Sequence, residues 1–202
     1  MESINGPKEI SSTQSIVAKA THNIFYAKSV EEIMESKDKW LSLFNSSNLD
    51  IRIRAARNLL IYHKNMSMNV LLEILDELHY KGLGADTERL ILERRDPNLR
   101  LEMLKRVSSS SPFVREVACK YLKVCKNKDD LPILLSSLQD ENNMVRLCAI
   151  SAIREINEPS CAEELFTSYK LFIENETDDL NDSNVKWFIY CLESQLKRFG
   201  IN

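Results

Sequence analysis

The chain is poor in glycine and proline, the residues that tight turns between strands require. Its 202 residues include four Gly and five Pro, whereas 44% are hydrophobic and 28% are charged. An all-β fold would need many more turn residues, so the composition indicates a mostly helical protein. A chain of this length suits one domain or one short repeat array.

Long hydrophobic runs are also missing, and the chain has no net positive charge. No window reaches about 18 uninterrupted apolar residues, the minimum for a membrane-spanning helix. The N-terminal stretch MESINGPKEISSTQS has no basic start followed by an apolar run, so it does not resemble a signal peptide. The net charge of −3 is not typical of a nucleic-acid-binding or membrane-surface protein, although a local basic face is compatible with it. We therefore expect a cytoplasmic protein without membrane association.

Cysteine and histidine do not occur at the spacings of a disulfide framework or a metal site. The five cysteines are an odd number without a C-x-x-C pair, and the three histidines are scattered. This pattern predicts reduced thiols in a reducing compartment and no bound metal. The stretch 174–182, ENETDDLND, carries five carboxylates but lacks the Gly and the final Glu of a calcium loop. We interpret it as a flexible acidic loop.

Motifs of catalysis are missing as well. The sequence contains no Gly-rich phosphate loop, no G-x-S-x-G, no H-E-x-x-H and no zinc-finger spacing. Its carboxylates are abundant, but the sequence places no pair of them in a shared pocket. We therefore expect a protein that is not an enzyme and uses no cofactor, with catalysis left open as the alternative.

What the sequence does contain is a recurring frame of apolar, arginine and alanine residues. In the stretch 140–156, DENNMVRLCAISAIREI, the frame reads Val-Arg-x-x-Ala-x-x-x-Ile, and it recurs from residues 51 and 114. The arginines of the three frames are Arg52, Arg115 and Arg146, which are separated by 63 and then 31 residues. These separations are close to two periods and one period. A fixed period in this range predicts a helical solenoid.

Apolar spacing and turn residues divide the chain into one capping helix and five helix pairs. We predict a disordered N-terminus over 1–10 and a single domain over 11–202, which starts with a capping helix over 12–28. The pairs join 30–44 with 50–63, 68–80 with 85–95, 98–107 with 112–125, 130–138 with 143–156, and 160–173 with 183–198. Four prolines support these boundaries, because a missing N–H costs nothing at a helix start: Pro97, Pro112, Pro132 and Pro159. The pairing register of 85–107 is ambiguous, since 96–100 also resembles the start of a second helix.

This pattern resembles the HEAT repeat, particularly its short bacterial form. The resemblance covers roughly 30–198 and is clear in three repeats, partial in the fifth and poor in the second. It implies an all-α, right-handed α-solenoid of about five helix pairs, and it says little about function. The resemblance also implies a structural ladder in which arginines pair with acidic turn residues, and its candidate members are Asp50, Arg52, Arg115, Asp140 and Arg146. A basic clamp for a ligand is the alternative role of these arginines.

The outward arc of the second helices carries the candidate binding residues. At 100° per residue, this arc has sixteen positions in four repeats, of which six are basic and two are acidic. We predict that ten of them bind a partner: Ile53, Arg57, Leu60, Lys64, Lys120, Lys123, Leu147, Arg154, Trp187 and Arg198. Second helices usually line the concave surface of a solenoid, and this mixture suits an acidic and apolar patch of a protein. Ordinary solvated charges are the alternative interpretation.

Two functions follow from these expectations. The first is a non-enzymatic scaffold, adaptor or inhibitor that binds a partner protein on its concave face. The second is a nucleic-acid-binding protein, because some HEAT-like bacterial proteins are DNA alkylation glycosylases with a basic concave face. Their catalytic residues do not map onto this chain one by one, and the net negative charge disfavours this second function.

Overall fold

The computed structural model describes residues 37–94, 96–175 and 182–201, and the regular elements within these ranges are all helical. The α-helices are α1 (Lys37–Phe44), α2 (Leu49–Tyr62), α3 (Met68–Glu73), α4 (Gly84–Glu93), α5 (Pro97–Arg106), α6 (Pro112–Cys125), α7 (Leu131–Ser136), α8 (Asn143–Ile156), α9 (Ala162–Asn175) and α10 (Ser183–Arg198). The predicted disordered N-terminus and capping helix lie outside the described residues, as does most of the predicted acidic loop. Within the described ranges, no helix is long and apolar enough to cross a membrane.

The helices pack as five consecutive pairs in the part of the chain that the structure describes: α1 with α2, the turns that continue α3 with α4, α5 with α6, α7 with α8, and α9 with α10. The second helices of the pairs, α2, α4, α6, α8 and α10, also stack on one another in chain order. The predicted all-α arrangement of HEAT-like helix pairs is therefore confirmed. The ambiguous stretch 85–107 forms α4 as a second helix and α5 as the next first helix, which keeps the alternation.

Short polar side chains set the starts of several second helices. The Asn48 Oδ1 atom accepts hydrogen bonds from backbone N–H groups two and three residues further on, and Asn142 and Asp182 do the same. These side chains satisfy N–H groups that have no partner inside the helix. Because the three caps precede α2, α8 and α10, the same device fixes the start of the second helix in three repeats.

The recurring frame forms the interior of the array. Its apolar and alanine positions on α6 and α8 are almost fully buried: Val114, Ala118 and Leu122, and Val145, Ala149 and Ile153. Alanine lets neighbouring helices approach closely, while the longer side chains fill the space between the pairs. The frame arginines are a polar exception, because Arg115 and Arg146 are each only 7% exposed.

Repeat two, which consists of α3 and α4, departs from this frame, and its backbone is irregular where the two helices join. The helix α3 continues as a π-helical turn and then a 3₁₀ turn, and it ends at Gly82 with a left-handed φ of 74°. Two residues later, a Cβ atom on Gly84 would lie 2.9 Å from the Phe113 ring and 3.3 Å from the His79 carbonyl oxygen. Glycine therefore permits the close contact between repeats two and three.

Candidate functional site

The second helices of the last three repeats surround a cavity of about 350 Å³, here called the second-helix cavity. Five of the predicted binding residues line it: Lys120, Lys123, Leu147, Arg154 and Trp187. Met144, Cys148, Ile150, Ser151 and Cys191 complete the lining, and the sequence analysis had assigned no binding role to them. Cavities that bind small ligands have volumes of roughly 300–1,000 Å³, so this one can hold a few side chains or a small molecule.

The lining changes from apolar to polar along α8. Met144, Leu147 and Cys148 lie in the first half of the helix, the buried Ile150 lies at its middle, and Ser151 and Arg154 lie in the second half. Their spacing of three and four residues places them on one stripe of the helix surface. The cavity therefore has an apolar end and a basic end.

Two cations at the basic end contact only neutral side chains of the described residues. The Lys123 Nζ atom donates a hydrogen bond to Ser151 Oγ at 2.8 Å, and Arg154 Nη1 donates to Cys191 Sγ at 3.6 Å. Because Lys123 and Arg154 are 31 residues apart, the same contact recurs from one repeat to the next. Neither cation forms a salt bridge within the described ranges. The charge of Lys123 does act on Glu155, but the pKa of Glu155 is lowered first by its bond to Lys126 and only to a lesser degree by Lys123. Both cations can therefore still attract an anionic group.

A third cation, Lys120, is neutralised by the protein itself. Its Nζ atom lies 2.7 Å from a carboxylate oxygen of Glu88 and 2.7 Å from one of Glu116. Burial lowers the pKa of Lys120, but the hydrogen bonds to Glu116 and Glu88 outweigh this effect and raise the pKa above its ordinary value. Lys120 therefore adds no available positive charge to the cavity.

An exposed aromatic pair stands beside the apolar end. The Trp187 and Tyr190 rings on α10 stack with centroids 5.3 Å apart and an interplanar angle of 24°. Trp187 is 55% exposed and Tyr190 is 57% exposed. Large aromatic side chains in such positions contribute much of the binding energy in protein interfaces.

The thiols that line the cavity behave as apolar surface. Burial raises the pKa of Cys148 to about 11, and burial also raises the pKa of Cys191. Both thiols stay protonated at neutral pH and are therefore poor nucleophiles and poor metal ligands. In the described part of the chain, no three His, Cys, Asp or Glu side chains are arranged to hold a metal ion.

The other predicted binding residues lie away from the cavity. Leu60 is only 1% exposed, so the prediction that it faces a partner is wrong. It is buried because α2 packs against both α1 and α4, which widens the buried arc of this helix. Ile53 is half-buried against the core. Three predicted residues are exposed but do not line the cavity: Arg57, Lys64 and Arg198.

Part of the predicted ladder is visible around Asp140, in the turn before α8. The Arg115 guanidinium donates two hydrogen bonds to the Asp140 carboxylate, at 2.7 and 2.8 Å, and the two side chains are 8% and 11% exposed. The Arg146 guanidinium donates to the Asp140 carbonyl oxygen at 3.0 Å. These contacts tie α6 of one repeat to the turn of the next.

In the first repeat the ladder takes a different form. Arg52 pairs with Glu73 at 2.7 Å and with Glu77 at 2.9 Å, neither of which is among the acidic turn residues that the resemblance implied. Asp50 lies exposed in the first turn of the same helix as Arg52, while the two glutamates lie on the following first helix. The repeats are joined in both cases, but the acids come from different elements.

Two further pairs between repeats were missed by the sequence analysis. Arg100 on α5 forms a salt bridge with Asp130, whose side chain is fully buried, and Arg106 Nη2 lies 2.6 Å from Asp76. Both pairs join residues that are 30 residues apart. This separation is close to the repeat period, so a search for opposite charges one period apart would have found them.

Comparison with known protein families supports this architecture for the central part of the chain. HEAT repeats match residues 92–170, which include all of α5 to α8 and the first nine residues of α9. Neither a curated protein nor a solved structure shows significant similarity to the chain. The stacked helix pairs, the recurring Val-Arg-x-x-Ala frame and this match together identify residues 92–170 as a member of the HEAT-repeat family.

Proposed function

We propose that this protein is a non-enzymatic interaction module that binds a partner protein at the second-helix cavity. HEAT repeats commonly mediate protein interactions. The observation that carries the proposal is the combination of apolar lining residues, an exposed Trp187 and two cations that form no salt bridge with any described carboxylate. A partner can bury its own apolar side chain at one end and satisfy the cations at the other end.

The surface has the features of an interaction hot spot. Tryptophan and arginine are the residues whose truncation most often weakens protein complexes, and both occur here within one cavity. Leu147, Met144 and Cys148 add apolar lining to the same cavity. A scaffold, an adaptor and an inhibitor would all use such a surface.

The same surface is less suited to duplex DNA. Proteins that bind a duplex neutralise a row of phosphates with a row of cations. Here the row stops after Lys123 and Arg154, because Glu88 and Glu116 neutralise Lys120. Further phosphates would meet these two carboxylates, so the charge distribution favours a protein partner.

The experiment compares captures by tagged protein from native extract at low salt, with and without nuclease treatment. We expect a protein to be captured in both halves and to be lost when the bait is the variant Trp187→Ala/Arg154→Gln. The matched control is Lys197→Gln, which removes one exposed cation of α10 outside the cavity and should leave capture unchanged. Circular dichroism and urea denaturation verify that all baits are folded.

Two results would contradict the proposal. Equal capture by the double variant and the wild type would mean that the partner binds elsewhere. Loss of all captured protein after nuclease treatment would instead favour the nucleic-acid-binding function, and duplex binding that weakens steeply with salt would then be the next measurement.

A further inference from the structure

The apolar and basic ends of the second-helix cavity are separated by a measurable length of helix. Leu147 marks the apolar end and Arg154 the basic end, seven residues apart on α8. At a rise of 1.5 Å per residue, this separation is about 10 Å along the helix axis. A ligand that occupies both ends must therefore carry two different groups about 10 Å apart.

The two ends of the cavity suit different kinds of ligand group. At the apolar end, Leu147, Met144 and the Trp187 ring offer surface that a large apolar side chain can cover. At the basic end, Lys123 and Arg154 donate to a hydroxyl and a thiol, which are weak neutral acceptors. A carboxylate placed there would accept charge-assisted hydrogen bonds, which are shorter and roughly twice as strong as neutral ones.

On these grounds we infer that the partner enters the cavity with an extended segment in which a large apolar residue and an Asp or Glu lie about three residues apart. The spacing follows because an extended chain advances about 3.3 Å per residue, so three residues span the 10 Å between the two ends. The inference rests on the proposed function and adds to it the chemical nature of the bound segment.

A carboxylate fits the basic end better than the phosphates of a nucleic acid strand. Single-stranded nucleic acid is held by a basic groove that follows its backbone over several nucleotides. Beyond the two available cations lies Lys120, which is paired with Glu88 and Glu116 at 2.7 Å each. A single carboxylate needs only Arg154 or Lys123 as its partner, whereas a chain of phosphates would need further cations and Lys120 is already paired.

The experiment selects binders from a random-peptide display library on the immobilised full-length protein. The variant Lys123→Gln/Arg154→Gln serves as the counter-selection target. We expect enriched peptides to combine Trp, Phe, Leu or Met with Asp or Glu about three positions away. In fluorescence anisotropy, replacing that acid by Asn or Gln should weaken binding to the wild type about 10-fold or more, since hydrogen bonds to charged groups contribute this much.

Variants of the protein test which of its side chains binds the acidic residue of the peptide. Arg154→Gln should weaken the acidic peptide by a similar factor and should leave its Asn or Gln version unchanged. The control Lys197→Gln removes a cation of the same sign outside the cavity, at a position with no predicted binding role, and we expect no change in affinity. A labelled single-stranded oligonucleotide is the competitor, and we expect that it does not displace the peptide.

Each contrary result has a distinct meaning. Absence of enrichment, enrichment without an acidic position, or displacement by the oligonucleotide would overturn the inference. Peptides whose affinity depends on Trp187 but not on their own Asp or Glu would overturn the inferred carboxylate. The proposed function would still stand. Peptides that bind Trp187→Ala and Arg154→Gln as well as the wild type would overturn both.

Discussion

The charges between the repeats and the charges in the second-helix cavity belong to the same residue types but have different surroundings. Between the repeats, Arg100 and Arg115 face the buried or nearly buried carboxylates of Asp130 and Asp140. In the cavity, Lys123 and Arg154 face only a hydroxyl and a thiol among the described residues. The first set joins neighbouring repeats, and the second set is the one that we propose binds a partner.

The physical difference is the cost of separating each charge from its partner. A carboxylate that is buried without a cation loses its hydration and gains nothing in return. A half-exposed cation beside a neutral acceptor keeps contact with water, and its removal leaves no buried charge behind. Substitutions in the two sets should therefore affect stability by very different amounts.

The largest effect is expected for Arg100→Met. This change leaves the fully buried carboxylate of Asp130 without its cation and should lower the free energy of unfolding by about 3–5 kcal/mol, measured by urea denaturation. The double variant Arg100→Met/Asp130→Leu removes both charges and should recover most of the loss. A loss below about 1 kcal/mol, the range of surface ion pairs, would contradict the assignment of this pair to the buried set.

A smaller and graded effect is expected along the ladder. Arg115→Leu removes the guanidinium that donates two hydrogen bonds to the nearly buried Asp140 carboxylate. This change should lower the free energy of unfolding by about 3 kcal/mol. Arg52→Leu should lower it by about 1 kcal/mol or less, because Glu73 and Glu77 are 39% and 55% exposed and stay hydrated without it. The reverse order of the two variants would show that burial of the acid does not determine the contribution of the ladder.

The smallest effect on stability is expected in the cavity. Lys123→Gln and Arg154→Gln should each change the free energy of unfolding by less than about 0.5 kcal/mol, because each residue loses a bond to a neutral group only. Thermal and urea denaturation of both variants, beside Arg115→Leu as the reference, measure this difference. A loss as large as that of Arg115→Leu would place these cations among the structural charges.

Much of the fold could be predicted because it depends on local periodicity. The Val-Arg-x-x-Ala frame and its spacing of 31 residues indicate which helices repeat and which side of each helix is buried. Helix starts were also predictable, since Pro97 and Pro112 each begin an α-helix. Repeat two was harder to predict, because α3 ends irregularly and Gly84 lies in close contact with Phe113 of the next repeat.

The candidate site could be predicted only in part. Helical geometry placed Leu147, Arg154 and Trp187 on an outward arc, and these residues do line one cavity. The same geometry placed Leu60 on that arc, although the packing of two neighbours on α2 buries it. The periodicity of a single helix says which residues share a side, and it does not say how much of that side another helix covers.

The sequence by itself determined the repeat, its period and the helical class, because each of these follows from the order of apolar residues along one helix. Only the tertiary structure decided which cations are neutralised. Arg52 pairs with Glu73 and Glu77 rather than Asp50, and Lys120 is neutralised while Arg154 is not. A salt bridge requires two charged groups within a few ångströms, and that distance depends on how neighbouring repeats are placed against each other.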